Sequence, residues 1–332
     1  MELRWLDPDR PDRRDVDGAV AVLEAARAVD CPHQPVLTAS VFAARLRHGW
    51  DGDPPLTAVH WDHCGGTVAG VLEVSLPHWD NTHLGQVAVT VDPGARRRGL
   101  GTRLFEASVE RVRAAGRTLV YADCFDYPGP VAFLKAMGLD RAYEEVQRRQ
   151  DLDSLDWARL DGAYAEAGRR AAGYQLIRLP GPTPPDLMPD VVRMTGAIND
   201  APVDDLNIED EVFSPERIRA FEAAQQAQGW RLRRLVARER GTGLLAGHTI
   251  TAVQGEQPWH GCQHDTSVLR EHRGHRLGLL LKIGMLRWLA EQEPQLRDLD
   301  TWNAAANTHM IEVNEALGYR VLACGIGWQR HL

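Results

Sequence analysis

Residues 89–116, VTVDPGARRRGLGTRLFEASVERVRAAG, place Arg96, Arg97 and Arg98 beside Gly99 and Gly101, where an apolar strand pattern gives way to a helical one. Glycines let successive N–H groups converge, and the helix that follows turns its positive dipole end toward the same spot. Such a turn suits a pyrophosphate. Two familiar phosphate motifs do not fit. Gly94 and Gly99 have P-loop spacing, but Leu100 and Gly101 follow where Lys and Ser or Thr are required. Gly99 and Gly101 also begin a G-x-G-x-x-G run, but Leu104 stands at its third glycine and no acidic ribose ligand follows about 20 residues on. The plain alternative is a solvated basic turn before an ordinary helix.

Recurrence favours the anion. Residues 268–290, VLREHRGHRLGLLLKIGMLRWLA, repeat the strand end, the Arg- and Gly-containing turn and an amphipathic helix. After each copy come a strand, a second helix and a glycine stop, at Gly138 and Gly318. Gly101 and Gly278 lie 177 residues apart and the two stops 180 apart, the signature of a duplicated domain.

The elements that must position these turns read alike in both copies. In the first, Arg14 to Asp30 and Thr38 to Arg47 read as helices, and Leu56 to Trp61, Val68 to Leu76 and Gln86 to Val91 as strands of an antiparallel meander. In the second, Ser214, Pro215 and Glu216 form a helix start, with strands expected at Leu232 to Arg238, Leu245 to Val253 and Gln263 to Leu269. Residues 154–173 read as a helical connector, and LPGPTPPDLMPD from Leu179 as a Pro-rich loop. The expected division is residues 1–153, the connector, and 174–332. The fold class is α/β (α+β), two tandem domains each with a mixed, mostly antiparallel sheet flanked by helices.

Composition narrows the partners. The 332 residues carry a net charge of −8, against nucleic acid as the main ligand. No apolar run reaches the roughly 18 residues of a membrane span, and the charged N-terminus lacks a signal core, so a cytoplasmic location is expected. Cys31, Cys64, Cys124, Cys262 and Cys324 lack C-x-x-C spacing, which argues against a disulfide framework or a zinc site. Most are expected to be small buried residues. No metal is expected.

The stretch from Val89 to Gly101 resembles the acetyl-CoA signature of the GNAT superfamily of N-acyltransferases, R/Q-x-x-G-x-G/A, on Arg96, Gly99 and Gly101. The second copy is similar over Arg273 to Gly278 but has Arg276 in place of the first glycine. Asn307, Met310, Gly318 and Tyr319 resemble the family's N-x-x-A…G-F segment. Together the copies resemble tandem GNAT proteins, in layout the mycothiol synthase type. The resemblance implies a sheet splayed between its fourth and fifth strands, with coenzyme A in the gap and its pyrophosphate on the loop.

It also implies residues. Cofactor contacts fall on Val89, Val91, Arg96, Arg97, Arg98, Gly99, Leu100, Gly101 and Thr102 in the first copy. In the second they fall on Ser267, Val268, Arg273, Gly274, His275, Arg276, Leu277 and Gly278, with Asn303 and Asn307 beside the pantetheine arm. The implied chemistry is attack of an amine on the thioester of acetyl-CoA, with a backbone N–H near Val89 or Ser267 for the oxyanion. The tyrosine that protonates the thiolate in many members is replaced by Leu134 and Asn314. That leaves open a non-catalytic acyl-CoA sensor beside an N-acetyltransferase acting on a small amine as a monomer or homodimer.

Candidate catalytic residues are Asp265, Glu73 and Tyr127. Asp265 precedes the strand end that feeds the second turn; strict alternation would send His264 to the opposite face. Glu73 reads equally well as an outward strand charge, and Tyr127 as a packed aromatic. Residues 204–217, DDLNIEDEVFSPER, offer either an acidic mouth for a cationic amine or a solvated loop. With both glycines kept in its loop, the first copy is expected to hold CoA more tightly, because Arg276 would force another loop path or fill the phosphate position, unless its charge compensates by contacting a phosphate directly.

Overall fold

The computed structural model describes residues 2–62 and 66–332; Cys64 lies outside them. The chain divides into two compact units. Unit 1 comprises Met1–Tyr143, Asp205–Asp210 and Ile326–Leu332, and unit 2 comprises Glu144–Asp204 and Glu211–Gly325.

In unit 1, β1 (Arg4–Trp5), β2 (Leu56–Asp62), β3 (Thr67–Ser75) and β4 (Leu84–Val91) pair antiparallel in that order. β5 (Leu119–Phe125) joins β4 in parallel, and residues from Ile326 onward in β12 (Arg320–His331) follow it. α1 (Arg13–Asp30) and α2 (Ala39–His48) cover one face through Val16, Val22, Phe42 and Leu46. Both begin on side-chain caps, Asp12 accepting from the Arg14 N–H and Thr38 from the Val41 N–H. α3 (Leu100–Ala114) and α4 (Pro128–Ala136) cover the other face, closing a core of Leu72, Val74, Val87, Phe105, Leu134 and Trp328.

Unit 2 repeats the plan. β7 (Tyr174–Pro180), β8 (Trp230–Glu239), β9 (Leu245–Gln254) and β10 (His260–Val268) run antiparallel, and β11 (Asp298–Ala304) joins β10 in parallel. β6 (Asp140–Asp151), through its residues Glu145–Asp151, then pairs with β11. Each half of the sequence thus hands its last strand to the unit built by the other half. α6 (Met188–Thr195) and α7 (Pro215–Ala227) cover one face; α5 (Trp157–Arg170), α8 (Leu277–Gln292) and α9 (Thr308–Ala316) cover the other.

The meander strands appear within a few residues of the expected positions, and Ser214 caps α7 by accepting from the Arg217 N–H. Three expectations need correction. The Pro-rich stretch supplies the end of β7, a single turn of 3-10 helix and the start of α6, because Pro189 sits in the first turn, where its missing N–H costs nothing. The helix after the second turn is not amphipathic: α8 is buried on nearly all sides, Lys282 included. Of the four described cysteines none is fully buried; Cys31, Cys124 and Cys262 are half-buried and Cys324 is exposed.

Candidate functional site

The two Arg/Gly turns have the same backbone. In unit 1, Arg97 (φ 64°) and Gly99 (φ 80°) are left-handed; in unit 2, Gly274 (φ 86°) and Arg276 (φ 55°) occupy the matching positions. Arg276 therefore does not force another path. It accepts a conformation that costs a non-glycine residue about 1–2 kcal/mol, and its guanidinium reaches Glu166 on α5 at 2.9 Å instead of the phosphate position. Among the described residues, none of the backbone N–H groups of Arg97–Thr102, nor those of Gly274–Leu279, donates to another group. Space is open above them: a Cβ added at Gly99, Gly274 or Gly278 would meet nothing within 4 Å. At Gly101 it would only touch the Phe133 ring, at 3.4 Å. Six unspent donors at a helix N-terminus over an open surface fit a diphosphate.

The first arginine of each turn has another task. Arg96 donates from Nε to the Val91 carbonyl and from both terminal nitrogens to Asp30 (2.8 and 2.6 Å) at the end of α1. Arg273 likewise donates to the Val268 carbonyl and to Asp200, which Arg270 also clamps. These two hydrogen-bonded guanidinium groups hold the Asp200 carboxyl down to about 2. Each arginine fastens the turn to the strand end and to the helix or helical turn beside it. Leu100 and Leu277 anchor the helices in the core, and Thr102, Arg97, Arg98 and His275 remain at the surface of the turns.

Next to each turn the parallel pair comes apart. β4 and β5 are paired only from Leu84↔Leu119 to Gln86↔Tyr121, so Val89 and Val91 lie beyond the last pair. β10 and β11 are paired only to Cys262↔Asp300, leaving Ser267 and Val268 beyond it. The Ser267 hydroxyl donates to the Met194 carbonyl (3.1 Å).

Of the two strands that lead into the turns, β10 carries a bulge and β4 does not. The register of β10 against β9 shifts between Gln263 and Thr266, whereas β4 runs against β3 without a break. Gln263 Nε2 and Thr266 Oγ1 both reach Thr249 Oγ1 (2.9 and 2.7 Å), so both face α8. The two residues between them face the other way together: the His264 ring meets Phe221 of α7 edge-on at 6.2 Å, and Asp265 feels the charge of Arg234. The expectation that His264 turns away from Asp265 fails because the inserted residue cancels one alternation.

Asp265 thus stands where the strands separate. Its carboxyl makes no hydrogen bond to another described residue, and burial raises its pKa above the ordinary carboxylate range, opposed by Arg234. Burial also depresses His264, to about 4, and holds His248 well below its usual value, with Arg234 adding to the latter. Arg234 pairs with Glu222 of α7 at 3.4 Å, and Glu222 accepts from the Thr183 hydroxyl (2.5 Å). Arg234, Glu222 and His248 carry no motif; their only signal in the sequence is polarity at strand and helix positions that otherwise read as core.

The other expected residues fall elsewhere. Glu73 on β3 is paired with Arg45 of α2 at 2.7 Å, and Ala88 holds the place in β4 that Asp265 has in β10. Tyr127 caps α4 with its ring 6.0 Å from Phe125 and is partly exposed. Asn307 spends its side-chain oxygen on the Met310 N–H as the cap of α9, and the Asn303 oxygen accepts from Asn314 Nδ2 at 2.7 Å. In the acidic segment, Glu209 accepts from the Asn81 N–H and Glu211 pairs with Arg217. A separate groove of about 540 Å³ in unit 1, bordered by Arg14, Asp17, Trp61 and Arg98, has no β5 residue in its wall.

Residues 24–139 match the model of the Acetyltransferase (GNAT) family. Over 99% of its length the chain superposes on a tandem GNAT protein from the clavulanic acid biosynthesis pathway, covering 98% of that chain at 28% identity with a TM-score of 0.82. A GCN5-related N-acetyltransferase from Sphaerobacter thermophilus shares the fold at 14% identity, with 99% and 95% of the two chains covered and a TM-score of 0.68. So does the GCN5-related glucosamine N-acetyltransferase region of a fungal multi-domain GH3 β-N-acetylglucosaminidase, at 15% identity and a TM-score of 0.69 over 98% of this chain and 38% of that one. A search of curated proteins finds no match. No helix among the described residues is long and apolar enough to cross a membrane. With two copies of the loop-and-gap plan, a family match over residues 24–139 and a full-length likeness to a tandem GNAT protein, the chain has the tandem fold of GNAT N-acyltransferases.

Proposed function

We propose that the protein transfers the acetyl group of acetyl-CoA to the amine of a small acceptor, with the chemistry in unit 2. The observation that carries this reading is the bulge at His264–Asp265, which aims a desolvated, unpartnered carboxylate at the gap between β10 and β11. Asp265 takes the proton of the attacking amine. Its raised pKa brings it closer to that amine in basicity, so proton transfer is less uphill than to an ordinary carboxylate. The N–H donors of Gly274–Leu279 hold the diphosphate of the donor, which supplies the activated acetyl thioester. Unit 1 lacks an equivalent base, because Ala88 replaces Asp265 and Glu73 is held by Arg45.

Unit 1 is the tighter CoA site. Among the described residues its two cradle arginines, Arg97 and Arg98, make no ion pair, whereas Arg270 and Arg273 are committed to Asp200 and Arg276 to Glu166. The acceptor is a cation or a neutral amine of modest size, taken up on the α7 side beside Glu222 and Asp265.

Asp265→Asn tests the assignment. With thiol release measured over a panel of amines, kcat falls by about 10²–10⁴-fold while calorimetric CoA affinity stays within about twofold. Glu73→Gln leaves kcat near the parent. Full turnover in Asp265→Asn would move the chemistry out of unit 2.

A further inference from the structure

The α8-facing side of the gap in unit 2 holds a buried guanidinium whose ion pair is long and solvent-exposed. Arg148, on β6 opposite Thr301 of β11, is only 5% exposed, and its Nε and Nη1 have no hydrogen-bond partner. Its nearest carboxylate, Glu315 on α9, is 4.0 Å from Nη2 and mostly in solvent. Beside it, Asn314 is fully buried and bonds Asn303 through Nδ2, but its own Oδ1 is unpartnered. Thr301 and Asn303 are the residues of β11 just past the last pair with β10, so this cluster stands at the floor of the gap. A buried guanidinium with two idle donors and only a long, exposed pair carries a desolvation cost that an anion arriving there would offset. In unit 1 the matching positions are Trp328, Leu134 and Cys124, which offer no charge.

We propose that Arg148, assisted by Asn314, is the site in unit 2 that receives the thiolate sulfur of coenzyme A as the acetyl group leaves. The proposal rests on unit 2 being the transfer centre. As the amine nitrogen bonds to the carbonyl carbon, the C–S bond breaks and its electron pair stays on sulfur. The amine proton goes to Asp265. The sulfur is held by the free Nε–H and Nη1–H of Arg148 until water protonates it, so the group at position 314 need not be an acid. The charged group facing Arg148 on this side is Glu315 of α9; Lys282 of α8 lies against the ring of Tyr319, just ahead of β12. Asp298 and Asp300 lie on the opposite face, with Arg149 between them.

The test isolates unit 2 by using Gly101→Glu as the background, then compares the calorimetric affinities of CoA and desulfo-CoA at pH 6.5 and 9.5. A thiol whose pKa drops by one unit on binding makes CoA gain about tenfold over desulfo-CoA across that range; arginine stays charged throughout. The gain is expected in the background and in Arg148→Lys, and lost in Arg148→Met. Difference absorbance of the bound thiolate gives the same pKa independently of affinity. A CoA-to-desulfo-CoA ratio that is flat with pH in the background, or unchanged in Arg148→Met, overturns the Arg148 assignment alone. No CoA binding at all in the Gly101→Glu background overturns both it and the placement of chemistry in unit 2.

Discussion

The face of the sheet that meets α3 in unit 1 and the face that meets α8 in unit 2 have one backbone plan and opposite chemistry. In unit 1 it is lined by Leu72, Val74, Val87 and Val89 on the strands, with Phe105 and Leu134 from the helices. In unit 2 the matching residues are Thr249, Thr251, Gln263, Thr266, Lys282 and Asn314, every one polar and most of them buried. Cross-linked hydroxyl and amide hydrogen bonds satisfy much of that set: Gln263 Nε2 bonds Thr249 and the Ile250 carbonyl, and Thr301 bonds the Gln263 carbonyl. An apolar face maximises burial, while a polar one sacrifices some of it to hold charge at a fixed place. The face in unit 1 is therefore built for burial, and the face in unit 2 to keep polar groups at fixed places, as the chemistry proposed there requires.

Exchanging residues between the two faces breaks that comparison most severely. Phe105→Lys puts an unpaired ammonium among Leu104, Phe133 and Trp328 and is expected to cost about 5 kcal/mol, read as loss of cooperative unfolding of unit 1 in urea. The reverse change, Lys282→Met, relieves a cost. Lys282 has only the Tyr319 ring beside it, 5.3 Å away, and burial pulls its pKa from 10.5 to about 7. Below pH 7 it is charged in both folded and unfolded states and the full penalty applies; as pH rises toward 10.5 the folded state has already lost the proton and the penalty fades. Lys282→Met is thus expected to gain roughly 4 kcal/mol at pH 6 and progressively less by pH 10. A parent and variant whose stability difference is constant over that range would show that Lys282 is solvated.

The loops sharpen the contrast at smaller magnitude. Gly101→Glu is expected to weaken the tighter CoA site about 100-fold, or ~2.7 kcal/mol, with Gly278→Glu leaving it intact; calorimetry showing the reverse would exchange the roles of the units. Smallest is Arg276→Gly. Relief of its left-handed strain outweighs the entropy of a new glycine and the exposed Glu166 pair by about 0.5 kcal/mol, and Gly99→Arg should lose a similar amount, both seen as shifts in Tm.

Much of the site was legible because the turn is a local object. Arg96, Gly99 and Gly101 announce a left-handed, donor-rich loop by residue type alone, and its recurrence at Arg273 to Gly278 announces the duplication. The place of Asp265, just ahead of the turn and near the gap, is legible in the same way; its role is the proposal made above. What escaped depends on register and partners. A bulge adds one residue without marking it, so strict alternation puts His264 on the wrong face. Lys282, within LGLLLKIGMLRW, reads as the solvent side of a helix, and only the packing around α8 reveals that it has none. Arg148 lies in a charged strand, EEVQRRQD, where nothing separates it from Arg149, although one is saturated by Asp300 and the other has two idle donors.

The exchange of last strands reaches beyond the site, into how the chain is made. Ile326 and Trp328 belong to the core of unit 1, yet they are synthesised only after unit 2 has been. The segment Glu145–Asp151 emerges early but waits for β11 before it has a neighbour in unit 2. Neither half of the gene encodes a finished fold, so the duplication cannot be undone by cutting between the repeats: a single protease nick in α5 leaves each fragment carrying a strand that the other fragment's unit requires.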